Sequence, residues 1–172
     1  MITWMDRTAR VALLYGLLLI YTPPATHHHD GRMQNLSWSH IEHDADIGLR
    51  ARAPSRESLF EAMGEALTAV VTDPASVRPE QQIEIQCEAP DDALLLVDWL
   101  NALIYEMATR RMLFGNWRVT LDGHKLDALV EGEAVDRARH LPVVEIKGAT
   151  YTALSVKQDS SGNWHAQCVV DV

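Results

Sequence analysis

The chain has 172 residues, 47% hydrophobic and 23% charged, which is the composition of a folded globule with one core rather than of a disordered polymer. Its 24 acidic residues outweigh 15 basic ones, for a net charge of −9; leaving out the three basic and two acidic residues of 1–32 gives 12 against 22. Such a surface disfavours direct, tight RNA or DNA binding, because affinity for a phosphate backbone comes largely from Lys and Arg displacing counterions.

Residues 1–32 differ in character from the rest. Arg7 and Arg10 precede an apolar run from Val11 to Tyr21, followed by Pro23-Pro24 and His27-His28-His29, which is the outline of a signal peptide. The run is too short for a membrane span. No small-x-small cleavage site follows it cleanly, and Met33 stands just before the sequence that begins to look folded, so a natural start at Met33 competes with export. The expectation is a leader or mis-assigned extension over 1–32, without fixed structure, then one cytoplasmic domain over 33–172. The three histidines read as a solvated linker.

Ile47, Leu49, Ala51 and Ala53 alternate with Gly48, Arg50 and Arg52, which predicts a half-buried strand stopped by Pro54. Ser55 suits an N-cap, and Leu59, Phe60, Met63, Leu67, Val70 and Val71 share one face of a helix that ends before Asp73-Pro74. Ile83, Ile85 and Cys87 mark another strand. Pro90-Asp91-Asp92 opens a second helix, closed by Arg110-Arg111, whose centre from Leu94 to Tyr105 is apolar almost all round and is therefore buried on more than one side. Beyond Gly115 the pattern is all strand: Trp117 to Leu121 running into the Asp122-Gly123 turn, then Ala128 to Ala134, Val143 to Ile146, Tyr151 to Val156, and Trp164 to Val172 after a Ser160-Ser161-Gly162-Asn163 turn. The fold class is α+β, a mainly antiparallel sheet with two helices packed on it. Cys87 and Cys168 fall on apolar strand positions and read as free buried thiols.

On the last strand Trp164, Ala166, Cys168, Val170 and Val172 share one face, leaving His165, Gln167, Val169 and Asp171 on the other. Asp44 and Asp46 likewise have the parity of Gly48 and Arg50. If the two strands are neighbours, their carboxylates converge at one end of the sheet, where a hard cation such as Ca²⁺ or Mg²⁺ takes oxygen ligands. Val172, the last residue of the sequence, would add its carbonyl and free carboxylate. The plainer account is that Asp46 caps a turn and Asp171 is a solvated surface acid. His43 is a ligand, a general base or a structural histidine; His165 beside Asp171 points towards zinc, but no His/Cys cluster supports it. Lys147 can pair with Asp46 or Asp171, or reach a partner's phosphate. No phosphate loop, dinucleotide fingerprint, GxSxG elbow or HExxH is present, so an accessory protein fits better than a stand-alone enzyme.

Trp38-Ser39-His40-Ile41-Glu42-His43-Asp44-Ala45-Asp46-Ile47-Gly48-Leu49, the helix centre Leu94 to Tyr105, Glu133, Glu145-Ile146-Lys147-Gly148-Ala149-Thr150-Tyr151 and the closing Asp171-Val172 together resemble, in order, the motifs of the archease family. The resemblance implies an activator of an RtcB-type RNA ligase, promoting its guanylylation by GTP and its multiple turnover in tRNA splicing and RNA repair, without being the ligase. It implies a divalent cation, Ca²⁺ first and Mg²⁺ or Mn²⁺ as alternatives, held by Asp46, Asp171 and Val172, with Asp44, His43 and Lys147 as accessory residues, and contact with RNA only through the ligase. Asp44, Gly148 and Thr152 depart from the family's usual threonine, alanine and histidine. Two other classes stay open on the residues alone: a metal-dependent phosphoesterase using Asp44, Asp46 and Asp171, and a chaperone-like binding module.

Overall fold

The structure, a computed structural model, describes residues 36–43 and 46–172. In chain order the elements are β1 (Ser37–His43), β2 (Asp46–Ala53), α1 (Arg56–Val71), β3 (Gln81–Glu88), α2 (Asp92–Arg110), β4 (Met112–Asp122), β5 (Lys125–Ala134), a one-turn helix α3 (Arg137–His140), β6 (Gly148–Gln158) and β7 (Trp164–Asp171). The strands form two antiparallel sheets, one of order β1-β2-β7-β6 and one of order β3-β5-β4.

The α+β, antiparallel expectation holds, with two sheets in place of one. Each long helix touches strands of both: α1 packs on β1, β2 and β7 and also on β4, while α2 packs on β6 and on β3, β4 and β5. The helices thus form the middle layer, which explains why the centre of α2 is apolar on most sides and why no residue of α1 is fully exposed. Trp99 of α2 is fully buried and its indole N–H donates to the Phe60 carbonyl of α1 at 3.0 Å, tying the helices together. Gly64 lets the Trp117 ring of β4 lie against α1; a Cβ there would come within 2.8 Å of that ring.

Local signals set the helix ends. Ser55 accepts from the Ser58 amide at 3.1 Å while the Ser58 hydroxyl lies 3.1 Å from the Ser55 amide, a reciprocal capping box. Asp91 accepts from the Leu94 amide at 2.8 Å to start α2, and Arg111, left-handed at φ 53, ends it.

Five features differ from the sequence expectation. A strand precedes the anticipated first one, because Ser37–His43 pairs residue for residue with β2. The strand β4 begins at Met112, directly after α2, and α3 interrupts the region expected to be all strand. Val143 to Ile146 is not a strand: the connector from Leu141 to Lys147 is tied by the Val143 amide to the Val71 carbonyl at 3.1 Å and by the Lys147 amide to the Asp171 carbonyl at 2.9 Å, with Ile146 buried. Val169 is fully buried although it lies on the outer face, flanked by Gly48 and Thr150 in a row where Ile41 folds over Gly48. The cysteines are free and sit in different sheets, and burial pushes both thiols up to about 11.

Candidate metal centre

The β2–β7 ladder runs from Ala53–Trp164 to Ile47–Val170, and one step further out on the two strands are Asp46 and Asp171. They occupy the place of cross-strand neighbours, which in an antiparallel ladder are about 4.5–5.5 Å apart at Cα and point to the same face. That face is the outer one, opposite to Leu49 and Cys168 in the core. Chemistry follows from adjacency: like charges placed opposite each other destabilise a sheet unless a cation sits with them.

Lys147 supplies one such charge. Its amide donates to the Asp171 carbonyl at 2.9 Å, its ammonium donates to the Val172 carbonyl at 2.9 Å, and the same ammonium lies 3.6 Å from the Asp171 carboxylate. Of the two pairings open to Lys147, the structure has the one with Asp171. The site is exposed, with the Lys147 and Asp171 side chains 65% and 48% accessible, so the pair is screened and the lysine can swing away.

Among the described residues the donors at this end are oxygens, the carboxylates of Asp46 and Asp171 and the main-chain oxygen of Val172, a set that suits a hard cation such as Ca²⁺, Mg²⁺ or Mn²⁺. Among the described residues no three His, Cys, Asp or Glu side chains gather as a metal cluster. Asp44 and the side chain of His43 lie outside the described residues. His165 is not at this site: it bonds Asp159 at 2.8 Å, at the far end of β7.

Asn101 was not singled out in the sequence, yet it positions this end of the sheet. From the middle of α2 its side chain accepts from the Ala149 amide at 2.8 Å and donates to the Ala149 carbonyl at 3.3 Å, occupying the open edge of β6 two residues after Lys147. A single amide, in a run from Leu94 to Tyr105 that is otherwise apolar apart from Asp98, was the available signal. Glu133 serves elsewhere, in the three-stranded sheet. It is buried against Arg139, the Arg78 amide and His140, and the hydrogen bond from Arg139 leads in lowering its carboxyl to about 2.

Residues 38–172 match the model of the Archease protein family (MTH1598/TM1083). The chain belongs to the archease family. Its relatives include the protein archease of Thermococcus gammatolerans, 34% identical over 78% of this chain and 98% of that protein, and that of Methanopyrus kandleri, 34% identical over 80% and 100%. The solution structure of Methanobacterium thermoautotrophicum protein 1598 superposes with a TM-score of 0.65 at 21% identity, over 78% of this chain and 98% of that one, and so shares the archease fold. Archease membership makes this an accessory protein associated with an RNA ligase.

Proposed function

We propose that this chain is a metal-dependent activator of an RtcB-type RNA ligase, promoting guanylylation of the ligase by GTP and sustaining its multiple turnover in tRNA splicing and RNA repair. The observation that carries the reading is the meeting of Asp46 and Asp171 at one sheet end, beside Lys147 and Val172, in a chain of this family. A divalent cation bound there supplies positive charge against developing phosphate negative charge. Asp46 and Asp171 provide its side-chain oxygens and Val172 a main-chain oxygen. Lys147 keeps the end of β7 in place through its amide, and its ammonium offers a second positive charge to a phosphate. The acidic surface favours docking on a basic partner, so association weakens with salt.

The test is an RNA ligation assay with limiting ligase, GTP and a divalent ion. With this protein present, product exceeds one equivalent per ligase; Asp46→Asn or Asp171→Asn removes the gain. Unchanged turnover with the unsubstituted protein would sink the proposal, and release of phosphate from an ester by the isolated protein would make it a phosphoesterase instead.

A further inference from the structure

The outer face of the four-stranded sheet carries a second, oppositely charged field. Cross-strand pairing places Ser37, Arg52, His165 and Lys157 in one row, and Ser39, Arg50, Gln167 and Ser155 in the next. Most of these residues line one open concavity. Among the described residues a single carboxylate answers these basic groups: Asp159, 3.6 Å from Arg52 and 2.8 Å from His165, which also accepts from the Ser161 and Asn163 amides. Arg50 is held by a neutral partner, its Nε donating to Gln167 at 2.7 Å; neither it nor Lys157 has a salt bridge among the described residues. The Arg52 Nε is buried without a hydrogen-bond partner.

We infer that this face binds the phosphodiester backbone of a single RNA strand. Guanidinium, ammonium, hydroxyl and amide groups are the donors that phosphates take. An acidic protein partner fits less well, because interface cores are built on aromatic and apolar anchors, and the exposed large hydrophobics Tyr105, Leu141, Val143 and Tyr151 all lie outside these rows. The net charge of the chain does not forbid it. Arg50 is four residues along β2 from Asp46, about 13 Å, which exceeds a Debye length of about 8 Å at physiological salt. Binding is weak and indifferent to sequence, since the two rows hold no Phe, Tyr or Trp on which bases could stack.

Fluorescence anisotropy of a labelled single-stranded oligoribonucleotide with the full chain, between about 50 and 200 mM salt, tests this. Three phosphate contacts by Arg50, Arg52 and Lys157 give a slope of log affinity on log salt near −2, at roughly −0.7 per contact. Arg50→Gln with Lys157→Gln brings the slope to about −0.7 and weakens binding at least about tenfold at low salt. Arg50→Lys with Lys157→Arg retains both slope and binding. Asp46→Asn leaves RNA binding intact, so the outcome is read independently of the metal site. No binding by the unsubstituted chain, binding untouched by the double Gln variant, or binding of polyphosphate or poly-glutamate but not of RNA would each overturn the inference.

Discussion

One sheet face has two ends of opposite character. At the outer end of β2 and β7 two acidic residues stand one step beyond the last ladder pair, beside a lysine anchored largely by backbone contacts. Six residues along β2, Arg52 and its cross-strand neighbour His165 share one carboxylate, Asp159, with Arg50 in the row between. Between them runs the uncharged row Ile41, Gly48, Val169 and Thr150, where a Cβ on Gly48 would come within 2.3 Å of Ile41. The scaffold is identical at both ends, so the difference lies in what each lacks. The acidic end gathers anionic oxygens around one exposed lysine, and the basic end gathers donors around one carboxylate. Each end is therefore read best by adding its missing counter-charge.

The largest effect belongs to the acidic end. On the proposed reading Asp171→Asn or Asp46→Asn lowers ligase stimulation on the order of 100-fold, because each removes one of the two carboxylates that the described residues bring to this end of the sheet. Stability without added ion stays within about 0.5 kcal/mol or rises slightly, since the substitution also removes a like-charge contact. Thermal unfolding with and without Ca²⁺ checks this: Ca²⁺ raises the midpoint of the unsubstituted protein and leaves both variants where they are. A midpoint in either variant that still climbs with Ca²⁺ would place the ion elsewhere.

This contrast between ends was half legible in the sequence. Period-two alternation puts Asp46 and Asp171 on the outer face, and the resemblance to the archease motifs implies a ligand role for them, but no spacing shows that β2 and β7 are neighbours. That pairing joins residues more than a hundred positions apart, and only the tertiary ladder supplies it. The helices were readable from Ser55, Asp91 and their apolar faces. The second sheet was not, because the helix between two sheets carries the same all-round apolar pattern as one buried in any other way. The basic rows escaped notice because net charge is a sum over the chain, whereas Arg50, Arg52, Lys157 and His165 become a cluster only through registry. Val143 to Ile146 alternates like a strand but finds no ladder partner.

A smaller effect separates geometry from charge at the acidic end. Asn101→Leu keeps the bulk but leaves the Ala149 amide and carbonyl without their side-chain partner, costing about 1–3 kcal/mol in denaturant unfolding. Ligase stimulation falls less than in Asp171→Asn, because the ligands remain while the edge strand next to Lys147 loosens. Asn101→Asp, which accepts from the Ala149 amide but cannot donate to its carbonyl, lies between. If stimulation falls as far as in Asp171→Asn, Asn101 is itself part of the site.

The smallest effect sharpens the basic end, and it is a matter of pH. The hydrogen bond from His165 leads in holding the Asp159 carboxyl below its ordinary value, with the Asn163 and Ser161 amides adding to it. A carboxylate whose folded pKa is depressed stabilises the protein above its unfolded pKa, near 3.8, and that contribution is lost as pH falls through the folded value. Asp159→Asn should therefore melt a few degrees below the unsubstituted protein at neutral pH. The gap narrows below pH 3.8 as the native carboxylate is protonated too. Glu133, lowered to about 2 by Arg139, still destabilises both proteins over that range and so cancels in the difference. A gap independent of pH would mean that Asp159 holds the turn by shape alone. In that case the cations of the basic rows have no internal counter-charge of consequence, and their demand for an external anion is larger.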